Sequence, residues 1–141
     1  YSIYSYPTSY INAGLFTIYA GMKPDNLYEV TSLILDEIRL LKKKGFTLQE
    51  LEKSKEQLKG NYILGLESTS SRMNAIGKSE LLLGYINTQE EILQKIDNIN
   101  MDSVTEVIDR IFDLDRKAVS IVGHISKSFN PLKFIADFDN L

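Results

Sequence analysis

The chain has 141 residues, of which 43% are hydrophobic and 25% are charged, a composition typical of one globular domain with its own core. Its net charge of −3 argues against electrostatic binding to nucleic acid or to an anionic membrane. Cysteine is absent and His124 is the single histidine, so this sequence alone can build neither a disulfide, nor a thiolate site, nor a zinc site with two or three histidine ligands.

A β-hairpin is predicted over residues 1–21. The stretch 1–6 alternates like a strand, and 15–20 is rich in residues that favour strands. Between them, 7–14 contains the proline, asparagine and glycine of a turn. Because the chain opens at Tyr1, already inside the strand pattern, we expect it to be a piece of a longer protein.

Two helices are predicted after the hairpin. Pro24 suits a first helical position, and Gly45 suits the end of the same helix. Thr47 and Glu50 have the spacing of a capping box, which opens the second helix. The apolar stripe of the second helix, which we expect to be buried, is Leu51, Leu58, Tyr62 and Leu66.

Three further helices follow. A serine-rich break at 68–71 starts the third helix, which ends at Gly84. Thr88 and Glu91 form another capping box and open a short fourth helix. The fifth covers about 102–112, and its residues expected to point inward are Val104, Val107, Ile108 and Ile111.

The C-terminal region predicts one more strand and a tail. Residues 118–123 are β-rich and are expected to be a buried strand. Beyond Ile125 the pattern is weak, and we expect Phe129, Phe134 and Phe138 to pack loosely. The predicted fold is therefore α+β: a small, mainly antiparallel sheet (the N-terminal hairpin plus a C-terminal strand) covered on one face by about five helices.

Candidate chemical groups are few. His124 has no second histidine or adjacent carboxylate in sequence, which favours an ordinary surface position over a ligand or base. Several tyrosines of the hairpin have two interpretations. They form a face on which a ligand can stack, or they are ordinary strand residues, since tyrosine is favoured in strands. They are Tyr1, Tyr4, Tyr6, Tyr10 and Tyr19. The second helix carries interleaved charges that predict a solvated, ion-paired face: Glu52, Glu56 and Glu67 with Lys53, Lys55 and Lys59.

Five sequence blocks form an ordered set over most of residues 1–125. They are YSIYS at Tyr1–Ser5, GLFTIYAG at Gly14–Gly21, EKSKEQLKG at Glu52–Gly60, LESTSSRM at Leu66–Met73 and GKSELLLG at Gly77–Gly84. In order and spacing this set resembles the insulinase/pitrilysin-type zinc metallopeptidases, closest to their bacterial processing-peptidase-like branch.

The resemblance implies a place for this sequence within such an enzyme. Members of the family have paired homologous domains, the first with an HxxEH zinc site and the second without zinc. The five blocks suit the domain without zinc, and HxxEH is absent here. The first half of that domain in the family has no counterpart in this sequence, so residues 1–125 resemble the second half of the non-catalytic C-terminal domain, followed by a tail at 126–141. The implied cofactor is zinc in the parent protein, bound by the absent N-terminal domain, with none in this piece. That catalytic domain, of the same chain or of a partner subunit, is the implied partner, and the two enclose a peptide substrate.

Tyr1 is the one site residue that the resemblance implies. It falls on a tyrosine that works in the family with an arginine to bind substrate near the scissile bond. The segment that carries the arginine precedes this sequence. An ordinary strand tyrosine remains the alternative for Tyr1. No catalytic residue and no metal ligand is expected in the chain.

The sequence leaves three hypotheses about function open. In the first, the chain forms part of the wall of the substrate chamber of an active peptidase. In the second, it belongs to an inactive homologue that acts as scaffold or partner subunit, and in the third it is a binding module unrelated to proteolysis. We expect a cytoplasmic location from the lack of cysteine, and neither nucleic acid nor membrane as partner. Removing half of a domain opens sheet edges, so we also expect this piece to form a homodimer.

Overall fold

The computed structural model describes residues 2–112, 117–125 and 129–136. The chain divides into two compact units: the first contains the described residues of 1–45 and 106–141, and the second is 46–105. Across the described ranges there are two antiparallel strands and five α-helices of nine residues or more, which confirms the predicted α+β class. None of these helices has the length and apolar character needed to cross a membrane.

The hairpin of the first unit is confirmed, with a shorter turn than predicted. Strand β1 covers Ser2–Ser9 and pairs antiparallel with β2 at Gly14–Gly21. The backbone N–H of Tyr10 donates to the carbonyl of Ala13 at 2.8 Å, so the turn is 10–13 rather than 7–14. In an antiparallel pair, only every second residue of a strand directs its N–H toward the partner strand. Pro7 occupies a position whose backbone nitrogen points away from β2, so β1 continues through it without losing a hydrogen bond to β2.

The first predicted helix consists of two consecutive segments. A 3₁₀ turn at Pro24–Asn26 leads into helix α1 at Leu27–Lys44. Gly45 ends α1 with a φ of 64°, a left-handed value that favours glycine. Leu35 of α1 is 3% exposed and belongs to the core of this unit.

The second unit contains three helices, each starting at a side-chain cap. They are α2 at Leu48–Gly65, α3 at Thr69–Leu83 and α4 at Gln89–Asp97. Both predicted capping boxes are confirmed: the N–H of Glu50 donates to Thr47 Oγ1 at 3.2 Å, and that of Glu91 donates to Thr88 Oγ1 at 3.2 Å. The serine break is confirmed too, since Ser68 Oγ accepts from the N–H of Ser71.

Two helices bury less of their apolar stripe than predicted. Helix α5 runs over Met101–Ile111 and buries Ile108, but Val107 and Ile111 are 49% and 41% exposed. In α2, Leu51 is buried while Leu58 is 49% exposed. A helix that contacts its surroundings along a narrow line buries only the residues on that line, so the inward prediction was wrong at Leu58, Val107 and Ile111.

The C-terminal region differs most from the sequence-based expectation. Residues 118–123 are described and form no strand, and Val122 is 96% exposed. Strand propensity is weak unless a neighbouring strand supplies hydrogen bonds, and no described residue pairs with this segment.

The tail, by contrast, packs more tightly than expected. Helix α6 covers Pro131–Ala136, and its Phe134 is 3% exposed. The Phe134 ring lies 5.7 Å from that of Tyr28 and 5.4 Å from that of Phe129, so three aromatic rings form a cluster. The expectation of loose packing was wrong for Phe134, because a weak pattern in sequence does not reveal contacts with distant aromatic residues. Phe138 lies outside the described residues.

Candidate functional site

The described residues do not fit a zinc ion. No group of three or more histidine, aspartate and glutamate side chains in the described part of the chain could hold a metal. His124 is exposed, as the surface interpretation predicted, but the strand that was expected to end next to it does not form. Metal chemistry, where the parent protein has it, needs ligands beyond this described set.

Tyr1, the predicted substrate-binding residue, lies outside the described residues. Its role therefore stays a prediction. What the structure does describe is the strand that follows: β1 begins at Ser2, directly after Tyr1.

Three tyrosines come together on one side of the hairpin, and we call this surface, made of Tyr4, Tyr6 and Tyr19, the tyrosine face. Tyr4 is directly opposite Tyr19 in the register, and their rings stack with centroids 4.8 Å apart. The Tyr6 ring lies 5.9 Å from that of Tyr4. Residues two apart in a strand share a side of the sheet, which explains the grouping.

The tyrosine face is open, and the other side of the hairpin is only partly covered, with Phe16 39% and Ile3 63% exposed. Tyr4, Tyr6 and Tyr19 are 53%, 43% and 47% exposed. On the other side, the ring of Phe16 meets Phe112 edge-on, with centroids 5.7 Å apart. The tyrosine face therefore offers half-exposed rings together with phenol groups that can donate or accept hydrogen bonds. Tyr10, in the turn, is 60% exposed.

The hairpin also carries no charge. Residues 2–22 contain no aspartate, glutamate, lysine, arginine or histidine, although a quarter of the whole chain is charged. Lys23 is the first charged residue. What the tyrosine face can do is therefore limited to neutral hydrogen bonding, stacking and apolar contact, which suits an uncharged stretch of another chain better than an ionic ligand.

Lys55 is the residue whose environment sequence reasoning misjudged. It was assigned to a solvated charged face, yet it is buried, at 9% exposed. Its Nζ donates to the carbonyls of Asp97 and Ile99 at 2.9 and 3.2 Å and forms an ion pair with Glu52 at 3.2 Å. The signal that was available is its position four residues after Leu51, on the apolar stripe of α2.

Lys59, on the same charged face of α2, is ion-paired as predicted. Lys59 forms an ion pair with Glu56 at 2.9 Å and also binds Asp97 of α4. The hydrogen bond with Asp97, and then that with Glu56, raises the pKa of Lys59 above its ordinary value. A shallow depression beside these residues is lined by Leu48, Leu51, Lys55 and 97–102. The Lys55 ammonium group in this depression is already bound to the carbonyls of Asp97 and Ile99.

The chain is similar to a defined protein domain and to several zinc proteases. A family model described as the peptidase M16 inactive domain matches residues 1–58. An uncharacterized zinc protease of Bacillus subtilis is 42% identical over 115 residues, which are 82% of this chain and 28% of that protein. Another from Streptomyces coelicolor is 35% identical over 123 residues, 87% of this chain and 27% of that protein. One from Mycobacterium tuberculosis is 30% identical over 131 residues, 93% of this chain and 30% of that protein.

The matches cover most of this chain but only a small part of each relative. Most of this chain matches each relative, but it spans only about a quarter to a third of the length of those curated relatives. Their names refer to whole proteins, so any activity of a whole protein is a separate question from what residues 1–141 contain.

Proposed function

The chain belongs to the insulinase/pitrilysin-type peptidase family, and we propose that it forms part of the non-catalytic C-terminal domain of a zinc-dependent metalloendopeptidase. The observation that carries the proposal is the match of residues 1–58 to the inactive domain of the family. In this proposal 1–125 are the second half of the domain and 126–141 are its C-terminal tail. Zinc and the catalytic base are supplied by the homologous N-terminal domain, of the same protein or of a partner subunit.

The chemistry of the chain supports a division of labour of this kind. The sequence contains no HxxEH motif, and its one histidine and complete lack of cysteine leave no ligand set of the kind that zinc prefers. The relatives named zinc proteases extend well beyond the part that matches this chain, which leaves room in them for a metal site.

We propose that the hairpin is the part of the chain that faces the peptide in the substrate chamber. The tyrosine face is exposed, neutral and rich in phenol groups, whereas on the other side of the hairpin Phe16 contacts Phe112. A phenol O–H can donate to a peptide carbonyl, and an aromatic ring can contact a peptide side chain. Tyr1, next to β1, is proposed to contact the peptide near the bond that is cleaved.

The test is kinetic and uses the full parent protein. Tyr1→Phe removes one O–H donor and keeps the ring, so kcat/KM for an unstructured peptide should fall about tenfold or more, since lost transition-state donors have effects of this order or larger. Tyr10→Phe, the same change in the exposed turn, is the matched control and should leave kcat/KM unchanged. Equal kinetics for Tyr1→Phe and the wild type would remove Tyr1 from the substrate site.

The alternative is an inactive homologue that acts as scaffold or partner subunit. The sequence of the whole parent separates the two proposals, because an active enzyme needs HxxEH in the parent or in an encoded partner subunit. If neither contains the motif and no chelator-sensitive hydrolysis is found, the scaffold function replaces the peptidase.

We also propose that the protein is cytoplasmic. The basis is the complete absence of cysteine from 141 residues, which fits a reducing compartment. Cell fractionation with detection of the parent protein is the direct test, and recovery in the membrane or secreted fraction would contradict it.

A further inference from the structure

Two hydroxyl groups meet beside Gly21, the last residue of β2. Gly21 lies opposite Ser2 in the register, and Tyr19 precedes it by two residues on the same side of the strand. A methyl group placed on Gly21 would lie 2.8 Å from Ser2 Oγ and 3.5 Å from Tyr19 Oη. The space that a side chain at position 21 would need is therefore bordered by a serine hydroxyl and a phenol.

The backbone conformation does not require a glycine at this position. Gly21 does not have a positive φ, in contrast to Gly45 and Gly84, so alanine could adopt the same backbone without strain. The one contact that is too short for an added methyl group is that with Ser2 Oγ, since the Tyr19 atoms are at ordinary contact distance. What the glycine provides is room for the Ser2 hydroxyl next to the Tyr19 phenol.

Both hydroxyls have bonding capacity left. Among the described residues, neither Ser2 Oγ nor Tyr19 Oη has a hydrogen-bond partner. The Tyr19 ring is stacked on Tyr4 with centroids 4.8 Å apart, and this contact helps to hold the phenol in place. Residues 2–22 carry no charge, so the two O–H groups suit a neutral acceptor better than an anion.

We propose that Ser2 Oγ and Tyr19 Oη bind one main-chain carbonyl oxygen of the peptide substrate, at a subsite over Gly21. This inference rests on the proposed function and adds a second contact beside the one proposed for Tyr1. A carbonyl oxygen has two lone pairs and can accept from both hydroxyls at once. The missing side chain at Gly21 allows the backbone of the peptide to approach closely. Because every peptide has main-chain carbonyls, the subsite holds the substrate without selecting its sequence.

The experiment measures steady-state kinetics of the full parent protein on an unstructured peptide. Gly21→Ala turns the Ser2 hydroxyl away, and Tyr19→Phe removes the phenol O–H. For each we expect KM to rise about three- to tenfold, the effect of one lost hydrogen bond, with kcat nearly unchanged. The matched control is Gly14→Ala at the other end of β2, where the added carbon would lie at an ordinary 3.4 Å from the Thr8 carbonyl, and it should leave KM unchanged.

A double variant tests whether Gly21 acts through Ser2. Ser2→Ala alone should raise KM to the same extent as Gly21→Ala. Combining the two should give no further rise, because the hydroxyl that Gly21→Ala displaces has already been removed. Additive increases would show that Gly21→Ala acts in another way and would overturn the proposal. If Gly21→Ala fails to fold, Ser2→Ala and Tyr19→Phe still test the two donors.

Tyr1→Phe separates a failure of this inference from a failure of the proposed function. If Tyr1→Phe lowers kcat/KM while Ser2→Ala and Tyr19→Phe leave KM unchanged, the subsite over Gly21 is overturned and the proposed function stands. If the parent protein and its partner subunit show no chelator-sensitive hydrolysis, both are overturned.

Discussion

The hairpin Ser2–Gly21 and the helix pair α2–α4 use their polar groups in opposite ways. In the helix pair, Lys55 and Lys59 of α2 reach across to α4, and both helices begin with complete capping boxes. In the hairpin, three tyrosines are half-exposed, and residues 2–22 contain no charged side chain. The lysine ammonium groups of the helix pair are bonded within the chain, whereas the phenol groups of the hairpin can still bond to another molecule.

We infer from this difference that the helix pair mainly stabilises the fold and that the hairpin mainly binds other molecules. Buried or paired polar groups, such as the ammonium group of Lys55, contribute to folding and have no bonding capacity left for a ligand. Exposed phenols contribute little to folding and can bind another molecule. We therefore expect substitutions in the helix pair to change stability and substitutions on the tyrosine face to change binding.

The largest effect on stability is expected for Lys55→Met. The substitution keeps an aliphatic side chain but leaves the carbonyls of Asp97 and Ile99 without their donor, so the free energy of unfolding should fall by about 2 to 3 kcal/mol. Urea unfolding measures this change. The control is Lys53→Met on the exposed side of α2, and equal losses for the two variants would show that the Lys55 contacts do not stabilise the fold.

A smaller loss is expected for Thr88→Ala. Its Oγ1 accepts from the N–H of Glu91 at the start of α4, and removing a cap of this kind costs about 1 kcal/mol. Ser54→Ala, in the exposed middle of α2, is a matched removal of a hydroxyl and should be close to neutral. Thermal unfolding followed by circular dichroism compares the stability of the two variants. An unchanged stability of Thr88→Ala would show that the capping box at Thr88 does not stabilise the fold.

The pH dependence of the first capping box follows from Glu50. Hydrogen bonds from the backbone N–H and then the side chain of Thr47 hold the pKa of Glu50 below its usual 4.5. Since the pKa is lower in the folded state than in the unfolded chain, the contribution to stability is present above pH 4.5 and is lost as pH falls through the folded pKa. Glu50→Gln should therefore be less stable than the wild type at pH 7 but not at low pH. NMR titration of Glu50 with a midpoint at or above 4.5 would contradict this explanation.

The smallest effect on stability is expected for Tyr4→Ser, which removes a half-exposed ring stacked on Tyr19. A cross-strand pair of this kind contributes about 0.5 kcal/mol. In the full parent, the same variant should weaken peptide binding, measured as a higher KM. A loss of stability as large as that of Lys55→Met, with KM unchanged, would mean that the tyrosine face is structural and would remove the contrast between the two regions.

Much of the fold could be predicted from local sequence signals. The capping boxes at Thr47 and Thr88, and the glycine stops at 45 and 84, act between residues a few positions apart, so the sequence shows them directly. The hairpin could be predicted for the same reason, but its turn was placed too widely, because the tolerance for Pro7 depends on the direction of its backbone nitrogen.

The features that sequence reasoning missed depend on distant partners. The burial of Lys55 requires carbonyls more than forty residues away, and that of Phe134 requires Tyr28. The segment 118–123 has strand propensity but no described partner, and propensity alone did not decide its structure. Of the candidate site, the grouping of Tyr4, Tyr6 and Tyr19 follows from strand alternation and register, whereas Tyr1 was inferred from family resemblance and lies outside the described residues.

Metal analysis can test our proposal that the parent protein binds zinc outside residues 1–141. The parent protein and the 141-residue chain would be purified, dialysed against metal-free buffer and analysed for zinc by mass spectrometry. We expect about one zinc ion per parent chain, or per complex with a partner subunit, and none held by residues 1–141. One tightly bound zinc ion per 141-residue chain would contradict it.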